Sequence, residues 1–278
     1  MPIYPLILGA LSLLSPFLAL IVYMIYIARA AELNLRKPLQ AFLLFILVPV
    51  VMLILDKQVS SRILCLDAIF AVGLPVLVFL LILQYHHILN NAFLVSYLMI
   101  VAWGILRYYF FRTYQDQLFE QGLQMVKDKM PAVLNSQMMG QMLPMWKEVI
   151  SSIWIIAQGI ALLIGYLFFE RQLQIPERID NLRFSAYYNL LIIAALPLYL
   201  FSQTKVLFIN LIISLCLIPF FQGAALVWHR LGLIFANRII SGIIMIIIVL
   251  YANILLVLLG FANMWHTKRN FTSGGNAV

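Results

Sequence analysis

Asp67, Arg107, Gln158, Asn189, Asn210, Gln222 and Asn253 each stand within a long apolar run of the chain. A polar side chain in hydrocarbon costs free energy unless it is paired, so these are the residues whose types point first to function. Asp67 and Arg107 have two readings. Either each reaches headgroups or water from a helix end, or the two form an ion pair inside a helical bundle. The amides also have two readings, hydrogen bonding between helices or lining a polar ligand pocket near the membrane midplane. Asn210 and Gln222, twelve residues apart, lie about 120° from each other around a helix and need not share a cavity. Gln222-Gly223 after Pro219 is the more suggestive pair, because proline loosens the helix and glycine admits a ligand or a second backbone. The candidate ligand-binding residues are therefore Asn210, Gln222, Gly223, Asn189 and Gln158.

Other chemistries find less support. Adjacent His86 and His87 would point about 100° apart on a helix, with no acidic or cysteine partner beside them in sequence. Met138, Met139, Met142 and Met145 offer thioethers that suit Cu(I), but methionine also packs irregular apolar surface. Cys65 and Cys216 both lie in or beside apolar segments and do not read as a disulfide framework. The chain has no GxSxG, HExxH, Walker A lysine or Gly-rich dinucleotide loop. A non-enzyme with no metal and no cofactor is the expectation.

The elements that position these residues are set by composition. Hydrophobic residues make up 64% and charged residues 10% of 278, against roughly 45–50% and 25% in soluble domains. A run of about 20 apolar residues crosses a bilayer core, and the chain has room for about eight. The expected fold is all-α, a polytopic transmembrane helical bundle over 1–269. Its helices are placed at about 3–27, 38–55, 64–84, 92–111, 148–169, 184–201, 206–228 and 239–265. Between the fourth and fifth, residues 113–144 repeat apolar positions at three and four residue spacing among Glu120, Gln124, Lys127 and Lys129. That pattern predicts an amphipathic helix in the interface, broken at Pro131. Ala157, Ala161 and Gly165 form a small-residue ladder that lets another helix approach, within the bundle or from a partner. Residues 270–278 read as a disordered tail. The net charge of +8 sits in short connections, where it meets anionic lipid and not nucleic acid. Lys and Arg divide almost evenly between the two sides; the lean is towards both termini in the cytoplasm.

The last quarter resembles the YybS-like family of bacterial multi-pass membrane proteins, a domain of unknown function. The resemblance is carried by Phe208-Ile209-Asn210-Leu211, by Pro219-Phe220-Phe221-Gln222-Gly223-Ala224-Ala225-Leu226-Val227, and by the closing Gly260, Trp265 and Lys268-Arg269. That family is similar in fold to the substrate-binding membrane subunits of energy-coupling-factor transporters. The resemblance implies a bacterial inner-membrane bundle with a buried small-molecule site, driven by separate energising subunits. The leading expectation is thus a non-catalytic solute-binding or transport-related membrane subunit. The alternative is a membrane scaffold that docks another protein through Ala157, Ala161 and Gly165 or through 113–144.

Overall fold

The computed structural model describes residues 3–30, 38–86, 88–129, 137–173, 184–235 and 237–273, and the regular structure among them is helical. Five stretches combine the length and apolarity that crossing a membrane requires: Pro38–Leu55, Val59–Tyr85, Leu89–Lys129, Met142–Gln172 and Ser202–Ile234. A sixth arises if Arg238–Tyr251 and Asn253–Trp265, bent by 98°, are taken as one broken span. Five or six replaces the expected eight.

The first missing span is the chain's beginning. The expected helix over 3–27 divides into α1 (Ile3–Leu14) and α2 (Pro16–Ala30). Ser15 stands between them and its hydroxyl accepts the Leu18 N–H at 3.4 Å. Pro16 follows at the first helical position, where its missing N–H is no loss. This is the start of a new helix, not a kink in an old one. The Tyr4 and Tyr26 rings stack with centroids 5.7 Å apart. In one straight helix, positions 22 residues apart would be separated by about 33 Å. The segment therefore doubles back as a hairpin of two short helices.

The second missing span is 184–201. Only α8 (Tyr188–Ala195) is α-helical there, and Pro197 begins a 3₁₀ turn over Leu196–Leu200. A second 3₁₀ turn, Ser202–Thr204, leads into α9 (Lys205–Leu215). The Tyr199 and Phe208 rings meet at 5.3 Å, so this short segment runs back along α9.

The remaining elements are α3 (Pro38–Leu55), α4 (Val59–Asp67), a π-helical turn (Ala68–Gly73), α5 (Leu74–His86), α6 (Leu89–Lys129), α7 (Gln137–Leu173), α10 (Leu217–Ile234), α11 (Arg238–Tyr251) and α12 (Asn253–Ser273). The amphipathic stretch expected at 113–144 is not a separate helix. Residues 113–129 continue α6 beyond a kink at Phe111 (φ −118°, ψ 23°), and 137–144 open α7. Lys147 ties the two extensions through Asp116 and Glu120 at 3.5 and 3.1 Å. Pro131, His87, Pro176 and residues 274–278 lie outside the described residues; α12 continues to Ser273, into the expected tail.

Small residues set the close approaches. Pro49 cannot donate to the Phe45 carbonyl one turn back, and the α1 backbone comes onto that carbonyl at Gly9, where a Cβ would overlap it. The ladder on α7 is used inside the molecule. Ala161 is fully buried, and a Cβ at Gly165 would stand 2.5 Å from the Met24 Cβ of α2. Between these helices lies one aromatic-rich core with Phe93 at its centre. Its ring is 5.5–6.4 Å from Tyr97, Tyr166, Phe184 and Phe221.

A broken helix, unpaired amides and a buried ion pair

The 202–234 stretch breaks at its middle. α9 ends at Leu215 and α10 begins at Leu217, with Cys216 between them. Pro219 has no N–H to offer the Leu215 carbonyl, and the Tyr188 hydroxyl donates to that carbonyl at 2.7 Å. Next to it the Tyr97 hydroxyl donates to the Ser214 carbonyl, also at 2.7 Å. Two tyrosines from α6 and α8 thus serve backbone oxygens at the break.

Three of the five candidate residues lie on the elements that meet at this break. Gln222 lies one turn beyond Pro219, fully buried, and its Oε1 accepts the Phe184 N–H at 3.0 Å. Its Nε2 has no hydrogen-bond partner among the described residues. Asn189 follows Tyr188, which is anchored at Leu215; neither its Nδ2 nor its Oδ1 is partnered there. Gln158 stands at the middle of the 142–172 stretch and has an unpartnered Oε1. It precedes Gly159, where a Cβ would be 2.6 Å from both Leu217 and Tyr97. All three side chains are at most 3% exposed. An unsatisfied buried polar group costs roughly 1–3 kcal/mol, so the four such atoms on these three side chains call for a cause.

Asn210 and Gly223 are placed elsewhere. The Asn210 Nδ2 donates to the carbonyls of Glu148 (2.6 Å) and Val206 (2.9 Å), and its Oδ1 accepts the Ser152 N–H at 2.8 Å. Glu148 and Ser152 are four apart, the pair that an α-helix bonds to each other. The carboxamide is therefore a clamp on the α7 ladder, with its hydrogen bonding spent. Gly223 turns to α12, where a Cβ would overlap the Leu256 carbonyl oxygen. Its lack of a side chain admits a backbone. Asn253 is exposed at the start of α12.

The ion pair, one of the two readings of Asp67 and Arg107, is present, and Arg107 stays partly exposed. They pair, with Arg107 Nε 3.0 Å from each carboxylate oxygen. Trp103 Nε1 donates to Asp67 Oδ1 at 2.9 Å, and the Arg107 guanidinium lies over the Trp154 ring at 4.8 Å. Phe70, in the π-helical turn after Asp67, stacks on Trp103 at 4.8 Å. The sequence carries no signal that joins residues 40 positions apart. It also gives none for Tyr97, Tyr188, Phe184 or Trp154, or for Gln115, whose buried amide atoms are unpartnered too.

Among the described residues, no three His, Cys, Asp or Glu side chains converge as a metal site would require. Comparison of the chain with protein-family models, curated proteins and solved structures finds no match.

Proposed function

We propose that this chain is a non-catalytic membrane subunit that binds a small polar solute at the α9–α10 break. The observation that supports it is the set of unpartnered amide atoms on Gln158, Asn189 and Gln222 around a mid-span helix break. Broken helices near the midplane are where membrane bundles build solute sites, because freed backbone and polar side chains can face a shared ligand. The set contains both donors and acceptors and no charge, which suits an uncharged polar molecule. A bacterial inner-membrane location and separate energising subunits belong to the same reading, through the resemblance of the last quarter to the YybS-like family. A scaffold docking through Ala157, Ala161 and Gly165 has less support, because α2 packs on that ladder.

Asn189 provides the cleanest test, since its amide makes no hydrogen bond to the described protein. An Asn189→Leu chain should unfold later than the wild type by roughly 1–3 kcal/mol, the cost removed with an unsatisfied group. It should also lose a small molecule that native mass spectrometry finds on the gently solubilised wild type at one per chain. A wild type without such a molecule, or a variant that retains it, counts against the assignment.

A further inference from the structure

Arg107 meets Asp67 in an unusual way for an arginine. A fork-to-fork pair uses two parallel N–H groups on two oxygens, whereas here the single Nε–H is shared between Oδ1 and Oδ2. Of the five guanidinium N–H donors, the four on the terminal nitrogens bond no described residue. The Asp67 side chain is 1% exposed and that of Arg107 is 17% exposed. The charge of the pair is thus sealed on the Asp67 side and open on the Arg107 side. Trp154 under the guanidinium and Trp103 on the carboxylate fix the plane of the open end.

The level at which it opens, counted along α6, points to what it meets. Arg107 lies 18 residues after the start of α6, about 27 Å along the helix, near the far boundary of a hydrocarbon core about 30 Å thick. Tyr109 and Phe110 stand outward just beyond it, and α6 kinks at Phe111. An outward aromatic band of this kind marks the headgroup level of a bilayer.

We propose that the terminal nitrogens of Arg107 bind a phosphoryl oxyanion, that of a membrane lipid headgroup, with Asp67 and Trp154 holding the guanidinium in place. Two non-bridging phosphate oxygens match the paired donors of a guanidinium end, the geometry for which arginine is preferred over lysine. This site is separate from the solute site at the α9–α10 break, and its test does not depend on that reading.

The experiment uses the full chain in dodecyl maltoside without phosphate, followed by native mass spectrometry and titration. The probes are dioctanoyl phosphatidylglycerol, dioctanoylglycerol as its phosphate-free counterpart, and inorganic phosphate as competitor. One phosphatidylglycerol should bind per chain, with dioctanoylglycerol weaker by at least about tenfold, or 1.4 kcal/mol. Asp67→Asn should retain the lipid, because its amide oxygen still accepts the Arg107 Nε–H and every terminal donor stays in place. Asp67→Asn combined with Arg107→Gln, which keeps a neutral polar pair in the bundle, should lose it by about tenfold or more. Equal affinity of the wild type for the two lipids overturns the site, whatever the variants do. So does a folded double variant that binds like the wild type, or an Asp67→Asn chain that loses as much as the double. Displacement of the lipid by an equal concentration of inorganic phosphate overturns the lipid assignment and gives the same guanidinium to a soluble phosphate.

Discussion

Gly223 and Gly260 face each other's helices in a reciprocal contact, and what happens when either gains a methyl group tests the packing of α10 on α12. At Gly223 a Cβ would overlap the Leu256 carbonyl oxygen and stand 2.8 Å from the carbonyl carbon and 3.1 Å from the Gly260 nitrogen. At Gly260 it would overlap the Pro219 carbonyl oxygen, with the carbonyl carbon and Cα at 2.6 and 2.9 Å. Every obstacle is backbone, so no side chain can rotate away and the helices must separate. That places the cost near the top of the overpacking range, about 3 kcal/mol. Alanine returns about 1 kcal/mol through its better helix propensity, leaving a net loss of about 2 kcal/mol for Gly223→Ala. The double variant should lose less than the sum of the singles by about 1 kcal/mol, since one displacement relieves both clashes. Gly232, on the same helix with nothing within 4 Å of its Cβ position, is the control; Gly232→Ala should gain up to about 1 kcal/mol. Reversible unfolding in mixed micelles reads all four chains. A Gly223→Ala protein as stable as the wild type, or ranking with Gly232→Ala, would refute the close backbone contact.

Replacing Asn210 should rank wild type above Asn210→Ala above Asn210→Asp in the same unfolding assay. Alanine removes the clamp but leaves Ser152 and Glu148 free to bond within their own helix, whereas an ionised carboxylate turns an acceptor towards the Glu148 carbonyl; equal stability of the two variants would contradict the clamp. Asp56, in the connection between α3 and α4, accepts from the Ser61 hydroxyl (2.6 Å) and the Gln58 N–H (2.9 Å), and those bonds hold its carboxyl below the usual range. A depressed folded value means a contribution present above the unfolded pKa of about 3.9 and lost as the pH falls through the folded one. Ser61→Ala should therefore lower stability at neutral pH and flatten its fall in acid; an unchanged acid limb counts against the bond. In a chain carrying Cys65→Ser and Cys216→Ser, Tyr4→Cys with Tyr26→Cys should be joined within one chain by a short bifunctional thiol cross-linker spanning about 10 Å, far less than the ~33 Å between these positions in one straight helix. The α1–α2 hairpin brings the side chains at those positions together, and a protein in which no intramolecular cross-link forms would contradict the hairpin.

Hydropathy alone located the long apolar helices, because burial in lipid asks only for length and apolarity. It miscounted them where backbone direction matters. Ser15-Pro16 reads equally as a kink or as a cap followed by a first-turn proline, and only the meeting of Tyr4 with Tyr26 separates the two. At 184–201 the run is apolar enough, but Pro197 turns its second half into 3₁₀ structure. The polar residues were visible as a set, while their partners were not. Asp67 and Arg107 belong to different helices, and their pairing follows from the antiparallel course of α4 and α6, which spacing cannot supply. Gly223 carried a true signal of close approach with two answers, a ligand or a backbone; the Leu256 carbonyl of α12 that it meets is 33 residues further along and invisible to local pattern.

The way this chain treats its own disrupted backbone bears on how its unpaired amides are to be understood. The Leu215 carbonyl, deprived of a donor by Pro219, has the Tyr188 hydroxyl. The Ser214 carbonyl at the same break has Tyr97, and the Pro75 carbonyl beyond the π-helical turn has the Ser96 hydroxyl. Asn210 spends both ends of its amide on backbone groups. Against that background Asn189 and Gln115, with neither amide atom partnered, and Gln158 and Gln222, each with one buried amide atom unpartnered, stand out; Asn189 and Gln222 lie next to contacts made at the helix break. Leucine or methionine at any of these positions would avoid a cost of roughly 1–3 kcal/mol per unsatisfied group without changing the packing volume greatly. Polar groups left unspent beside groups that are fully spent favour a use outside the fold's own hydrogen bonding. A polar solute at the break, as proposed above, is one use that would give Gln158, Asn189 and Gln222 partners.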